Sequence, residues 1–223
     1  NKLKQKEENI PLDYSYARPA KAEDESVKQA IELARKNNLN LHICHLSSKK
    51  SLNLARKNNV SYEFTPHHLL LDNSAYNTYG TMIKTNPPLR EATYKINISD
   101  IDENTIIGTD HAPHTPEDKA NNAPGISGIE TSFSLCHKVF TDNEISLKLL
   151  SKLLSASPAR FLGLSPRVIR AGMQANLVVI EEKKSQIDSS LFESKGKNTP
   201  FDKEMVYAVI DKTIRKGDIL YDN

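Results

Sequence analysis

The sequence predicts an α/β chain that starts with a parallel sheet flanked by helices and ends in a small antiparallel unit. Three observations carry this. Helical and strand-like stretches alternate through the first half, the rhythm of βα units. Each strand-like run stops at residues able to do chemistry. Beyond Gly163 the helical period gives way to β-branched runs and turn residues.

Residues 1 to 20 read as a charged, proline-containing loop. "AKAEDESVKQAIELARKNN" reads as a helix, with acids in its first turn, Val27, Ala30, Ile31 and Ala34 at helical spacing, and basic residues near its end. "LNLHICH" is a strand ending at His45. "LSSKKSLNLARKNN" is a second helix, capped by Ser47 or Ser48. "VSYEFTPHH" is a strand stopped by Pro66, and "TIIGTD" is a third. The segment from Asp72 to Glu103, which contains "KTNPPLR", shows little period. "EISLKLLSKLLSASPARFLGL" reads as two helical segments, with Ser157-Pro158 opening the second and Gly163 closing it. "ANLVVIEEKK" and "MVYAVIDKTIRKGDILYDN" read as antiparallel strands, and "SSLFESKGKNTPFD" between them as a loop.

The 223 residues carry 30 Lys+Arg against 28 Asp+Glu, a net charge of +2 with the signs interspersed. A nucleic-acid binder would show a basic block instead. The two cysteines, Cys44 and Cys136, give neither a disulfide framework nor a paired metal-ligand spacing. No apolar run approaches the roughly 18 residues that span a bilayer, and the start lacks the apolar core of a signal peptide. The expectation is a soluble, cytoplasmic protein.

In parallel α/β sheets, ligands bind beyond the carboxyl ends of the strands. Here those ends carry His45, His67 with His68, and Asp110 with His111 and His114. A single strand-end histidine is more often structural, but three ends out of three point to a site. Imidazole plus carboxylate suits a divalent metal such as zinc, and an aspartate there can also accept a proton from water. His42 and His45 are three apart, so strand alternation sends them to opposite faces; His42 is assigned to packing or surface. Cys44 reads as a small buried apolar residue. His137 falls in a helix and receives no role. Asn86, held by the two prolines after it, is suited to grip a polar ligand.

The motifs "HICHLSS", "TPHHLLL", "KTNPPLR", "TDHAPH", "APGISGIETSF", "SPARFLGL" and "GKNTPF" stand in the order seen in dihydroorotases. From about Arg18 to the C-terminus the chain resembles that family of cyclic amidohydrolases, close to hydantoinases and allantoinases. The resemblance implies the C-terminal part of a (β/α)8 barrel over residues 1–165 and the C-terminal strands of a small β-sandwich over residues 166–223. It implies that His45 holds a zinc ion, and that Asp110 is both metal ligand and general base. Asn86 and His114 would contact substrate, His114 at its carboxylate. Pro124 and Gly125 would meet the ring through their backbone, Pro124 by its carbonyl alone since proline has no N–H. The implied reaction is reversible hydrolysis of dihydroorotate to N-carbamoyl-aspartate in pyrimidine biosynthesis, with one or two zinc ions. An allantoinase- or hydantoinase-like activity is the alternative, as is a non-catalytic subunit supporting a partner enzyme such as a transcarbamoylase.

The family's first-strand His-x-His pair is not in this sequence, whose histidines are 42, 45, 67, 68, 111, 114 and 137. The fourth-strand lysine or aspartate and the fifth-strand histidine are likewise expected upstream. Two ligands, His45 and Asp110, are too few for a firm zinc site, and three parallel strands cannot close a barrel. The expectation is therefore the C-terminal portion of an enzyme of roughly 350 to 430 residues, inactive alone. It would be completed by an N-terminal half or another subunit, and would form homo-oligomers.

Overall fold

The structure is a computed structural model describing residues 11–165 and 168–223. The predicted loop over residues 1–10 and the predicted boundary at Pro166 lie outside the described residues. Two helices open the described chain, α1 (Pro11–Ala17) and α2 (Ala20–Lys36). The first falls where the sequence reads as loop. Its Tyr14 is buried against Ile83 and Leu89, so tertiary packing stabilises a helix too short to stand alone.

Then come β1 (His42–Ile43), α3 (Lys49–Lys57) and β2 (Ser61–Phe64), followed by the short helices α4 (Pro66–Leu70) and α5 (Tyr76–Tyr79), and β3 (Ile106–Ile107). The strands form one parallel sheet in the order β1-β2-β3. Strand alternation divides their side chains. Tyr62 and Phe64 pack with Val27 and Ile31 of α2 and Leu52 of α3. Ile107 packs with Phe140 of α7 (Ser132–Asp142), which follows α6 (Pro116–Ala120), and with Leu150 of α8 (Leu147–Ser151). The opposite face carries His42, Cys44, Glu63 and Gly108.

The strands are shorter than the sequence suggests because the chain turns sharply after two of them. Pro66 does more than stop β2: it opens α4 at the first helical position, with the Thr65 side chain accepting from the His68 N–H. The two helical segments predicted near residue 157 join instead. A π turn over Lys152–Ala156 links α8 to α9 (Ser157–Phe161), absorbing Pro158 without a break. Ser157 is accordingly not the cap, and its hydroxyl donates to the Glu103 carbonyl. Gly163 does close the run, at φ 70°.

The antiparallel unit is as expected. β4 (Asn176–Glu181), β7 (Val209–Arg215) and β8 (Asp218–Asp222) form one sheet. The turn between its last two strands places Lys216 and Gly217 at φ 57° and 98°, matching the twist of a tight hairpin. β5 (Ser185–Gln186) and β6 (Met205–Val206) pair separately, and Phe192, Phe201 and Val206 pack on Leu135 of α7. This apolar patch ties the C-terminal segment to the helix that follows the candidate site. Among the described residues, no helix is long and apolar enough to cross a membrane.

Candidate active site

His45 and Asp110 each lie just beyond a parallel strand, and both have left-handed backbones, φ 41° and 46°. Histidine and aspartate tolerate that region better than most side chains, and such strain collects at functional sites. The turn releases His45 from strand alternation. Burial raises the Asp110 carboxyl above the ordinary aspartate range, with the His45 imidazole opposing and the Glu63 carboxylate adding to the shift. Asp110 and His45 are thus within electrostatic range of each other. His45 Nδ1 is buried without a hydrogen-bond partner. An unsatisfied imidazole nitrogen beside a carboxylate is a donor set that fits a divalent cation such as zinc.

The end of β2 contributes two histidines of different character. His68 is held by Thr65 Oγ1 at 2.8 Å and by the Pro87 carbonyl at 2.9 Å. Burial lowers it to about 4, so it is neutral and structural. His67 is buried with Nε2 unpartnered. Burial, then His68 and His45, hold it well below the ordinary histidine range. It lies within electrostatic range of His45.

Asn86 stands at the surface of the loop that His68 anchors. The Tyr14 hydroxyl donates to Asn86 Oδ1, so the amide NH2 is left to donate to a ligand. Tyr14, in the segment read as loop, is a residue the sequence did not reveal. The same loop is fastened to the turn after His45 by a buried ion pair. Arg90 Nη2 meets Glu23 Oε2 at 2.8 Å. Glu23 also accepts from the backbone N–H groups of Ser47 and Ser48 at 3.1 and 3.0 Å.

The loop after Asp110 is folded on itself. His111 Nδ1 accepts from the Gly128 and Ile129 N–H groups, which makes this histidine a brace. His114 Nε2 lies 2.9 Å from the Pro124 carbonyl and Nδ1 4.0 Å from Asp118. Gly125 donates to the Lys84 carbonyl at 2.6 Å, and its own carbonyl accepts from Lys119 and Asn198, each at 3.0 Å. The backbone groups of Pro124 and Gly125 are therefore already engaged internally. The Pro124 carbonyl, which takes one partner, keeps a lone pair for a ligand, whereas the Gly125 N–H and both lone pairs of its carbonyl are already engaged. Buried Lys119, whose amine burial lowers to about 8 with Lys84 adding, is the clamp.

The C-terminal segment closes over this loop. Ser127 donates to the Gly196 carbonyl at 2.6 Å. A Cβ at Gly196 would stand 2.4 Å from the His114 carbonyl oxygen and the Pro113 carbonyl carbon. Gly196→Ala is expected to cost about 1–3 kcal/mol, the range for overpacking, and to displace His114. Chemical denaturation together with the His114 imidazole NMR shift checks both.

One sequence expectation needs correction. Cys44 is exposed, not buried, because it shares the face opposite the helices with His42 and Glu63. His42, assigned to packing or surface, is half-buried, and its ring meets Ser61, Glu63 and, at 4.2 Å between centroids, Phe161. Glu63 itself was missed, although its place between Tyr62 and Phe64, both turned to the helices, was the available signal.

The amidohydrolase family pattern matches residues 15–220. The chain is 40% identical over 222 residues to a dihydroorotase of Methanosphaera stadtmanae, covering 95% of this chain and 52% of the relative. It is 40% identical over 213 residues to a dihydroorotase of Clostridium botulinum, covering 90% and 52%. The fold matches an L-hydantoinase (dihydropyrimidinase) from Arthrobacter aurescens with a TM-score of 0.89 at 23% identity, over 99% of this chain and 53% of that one. A D-hydantoinase (dihydropyrimidinase) from Thermus sp. matches with a TM-score of 0.88 at 21% identity, over 99% and 53%. The chain spans about half the length of the curated relatives it matches. On the strand-end site and these similarities together, the chain belongs to the amidohydrolase family.

Proposed function

We propose that this chain is part of a dihydroorotase that opens the cyclic amide of dihydroorotate to N-carbamoyl-aspartate, and closes it in the reverse direction. One observation carries the reading. His45 and Asp110 stand in left-handed turns beyond the two outer strands of one three-stranded parallel sheet, within electrostatic range of each other, in a chain 40% identical to dihydroorotases. The parallel strands would form part of a (β/α)8 barrel, with β4, β7 and β8 in a small sandwich.

His45 and Asp110 would hold zinc, with the remaining ligands supplied by sequence outside this chain. When bound, zinc supplies Lewis-acid polarisation of the amide carbonyl and lowers the pKa of water. Asp110 takes the proton from the attacking water and passes it to the departing ring nitrogen. Asn86, its amide oriented by Tyr14, donates to the substrate, and His114 contacts the substrate carboxylate. The Pro124 and Gly125 carbonyls border the ring.

Initial rates of the complete enzyme that contains this chain, with dihydroorotate, hydantoin and allantoin as substrates, test this. Dihydroorotate is expected to be the preferred substrate, and His114→Asn to raise its KM. The proposal fails if hydantoin or allantoin is turned over faster.

A further inference from the structure

The face opposite the helices gathers a second set of ligand-type groups. One ligand atom each from His42, Cys44 and Glu63 lies within 4.8 Å of the others. The strands enforce this: the register opposes His42 to Ser61 and Ile43 to Tyr62, which brings Cys44 beside Glu63 on one face. Gly108 of the third strand end leaves the space, since a Cβ there would stand 2.8 Å from the Glu63 carboxylate.

The contacts converge on one point. His42 Nε2 stands 3.4 Å from Glu63 Oε2, and the other ring nitrogen, Nδ1, is braced by the Ser61 hydroxyl at 3.0 Å, which is itself held to the Leu41 carbonyl at 3.1 Å. Imidazole, thiolate and carboxylate are zinc's ligand types, and a hydrogen bond to the second ring nitrogen is the outer-shell support that orients an imidazole ligand.

We propose that His42, Cys44 and Glu63 form a three-ligand site for a zinc-class divalent cation, separate from the one at His45 and Asp110. The cation replaces the thiol proton, which leaves to solvent, and water completes the coordination. The proposal rests on this geometry and not on the dihydroorotase reading.

Cobalt(II) titration of the purified protein, prepared as its gene encodes it, tests the site through the near-ultraviolet thiolate-to-cobalt charge-transfer band. A saturable band is expected. It should vanish in Cys44→Ser and in His42→Gln, and need about 10-fold or more cobalt in Ser61→Ala. In Asp110→Asn it should persist. The inference is overturned if the folded protein shows no thiolate band, if the band survives Cys44→Ser, or if Asp110→Asn removes it. His42→Gln decides the matter where Cys44→Ser fails to fold, because circular dichroism shows which variant keeps its structure.

Discussion

Asp110→Asn should lower the turnover of dihydroorotate by about 10³-fold or more, the upper range for loss of a general acid–base, while the metal-free protein melts higher. The two effects have separate causes: asparagine cannot accept the proton, and it removes a charge that the fold disfavours. Burial and the nearby Glu63 carboxylate raise the Asp110 carboxyl, so at neutral pH the ionised form is held against its environment. A group whose pKa is higher in the fold than in the unfolded chain stabilises when protonated, and that contribution disappears as pH rises through the folded value. Asparagine removes the charge, retains the shape and tolerates the left-handed turn at φ 46°. Steady-state kinetics and calorimetry give the two readings. Retained turnover would remove Asp110 from the chemistry, and a lower melting temperature would mean its charge is paired more favourably than described.

Glu23→Ala should destabilise the protein by about 3–5 kcal/mol, the cost of breaking a buried pair from one side. Arg90 would be left charged and buried, and the backbone amides of Ser47 and Ser48 would lose their acceptor. Because the pair joins the turn after His45 to the loop bearing Asn86, the damage should reach the site as well as the core. Acid has a related effect in the unsubstituted protein. Desolvation opposes ionisation of Glu23, but Arg90 and the Ser47 hydroxyl outweigh it and hold the carboxyl below its ordinary value. Its stabilisation is present above that value and lost as pH falls through the folded one.

His68 works in the same direction at higher pH. Lowered from 6.5 to about 4 by burial, it stays neutral in the fold while its unfolded counterpart takes up a proton. Stability should therefore decline from about pH 6.5 to about pH 4 by about 3 kcal/mol on its account. Urea midpoints across that range, flattened in His68→Gln, check it. A flat profile in the unsubstituted protein would show that His68 is not buried in neutral form.

Much of this arrangement was readable from residues alone. The change of period marks the parallel part and the antiparallel part, and His45 and Asp110 stand where strand runs stop. What escaped depended on contacts between distant segments. Tyr14 sits in a polar stretch with no period, and only its packing on Ile83 and Leu89 makes a helix there. The Thr65-Pro66 pair was a legible helix start, overlooked because proline was taken only as a strand stop. Cys44 was misjudged because alternation tells which residues share a face, not which face the helices cover. Glu63 followed from the same missing fact.

Anomalous diffraction at the zinc edge, on crystals of the metal-loaded protein, tests the central claim most directly. A peak within coordination distance of both the His45 imidazole and the Asp110 carboxylate is the predicted result. Crystals whose only zinc lies away from that pair, or whose His45 and Asp110 side chains point to opposite sides of the sheet, would contradict the account.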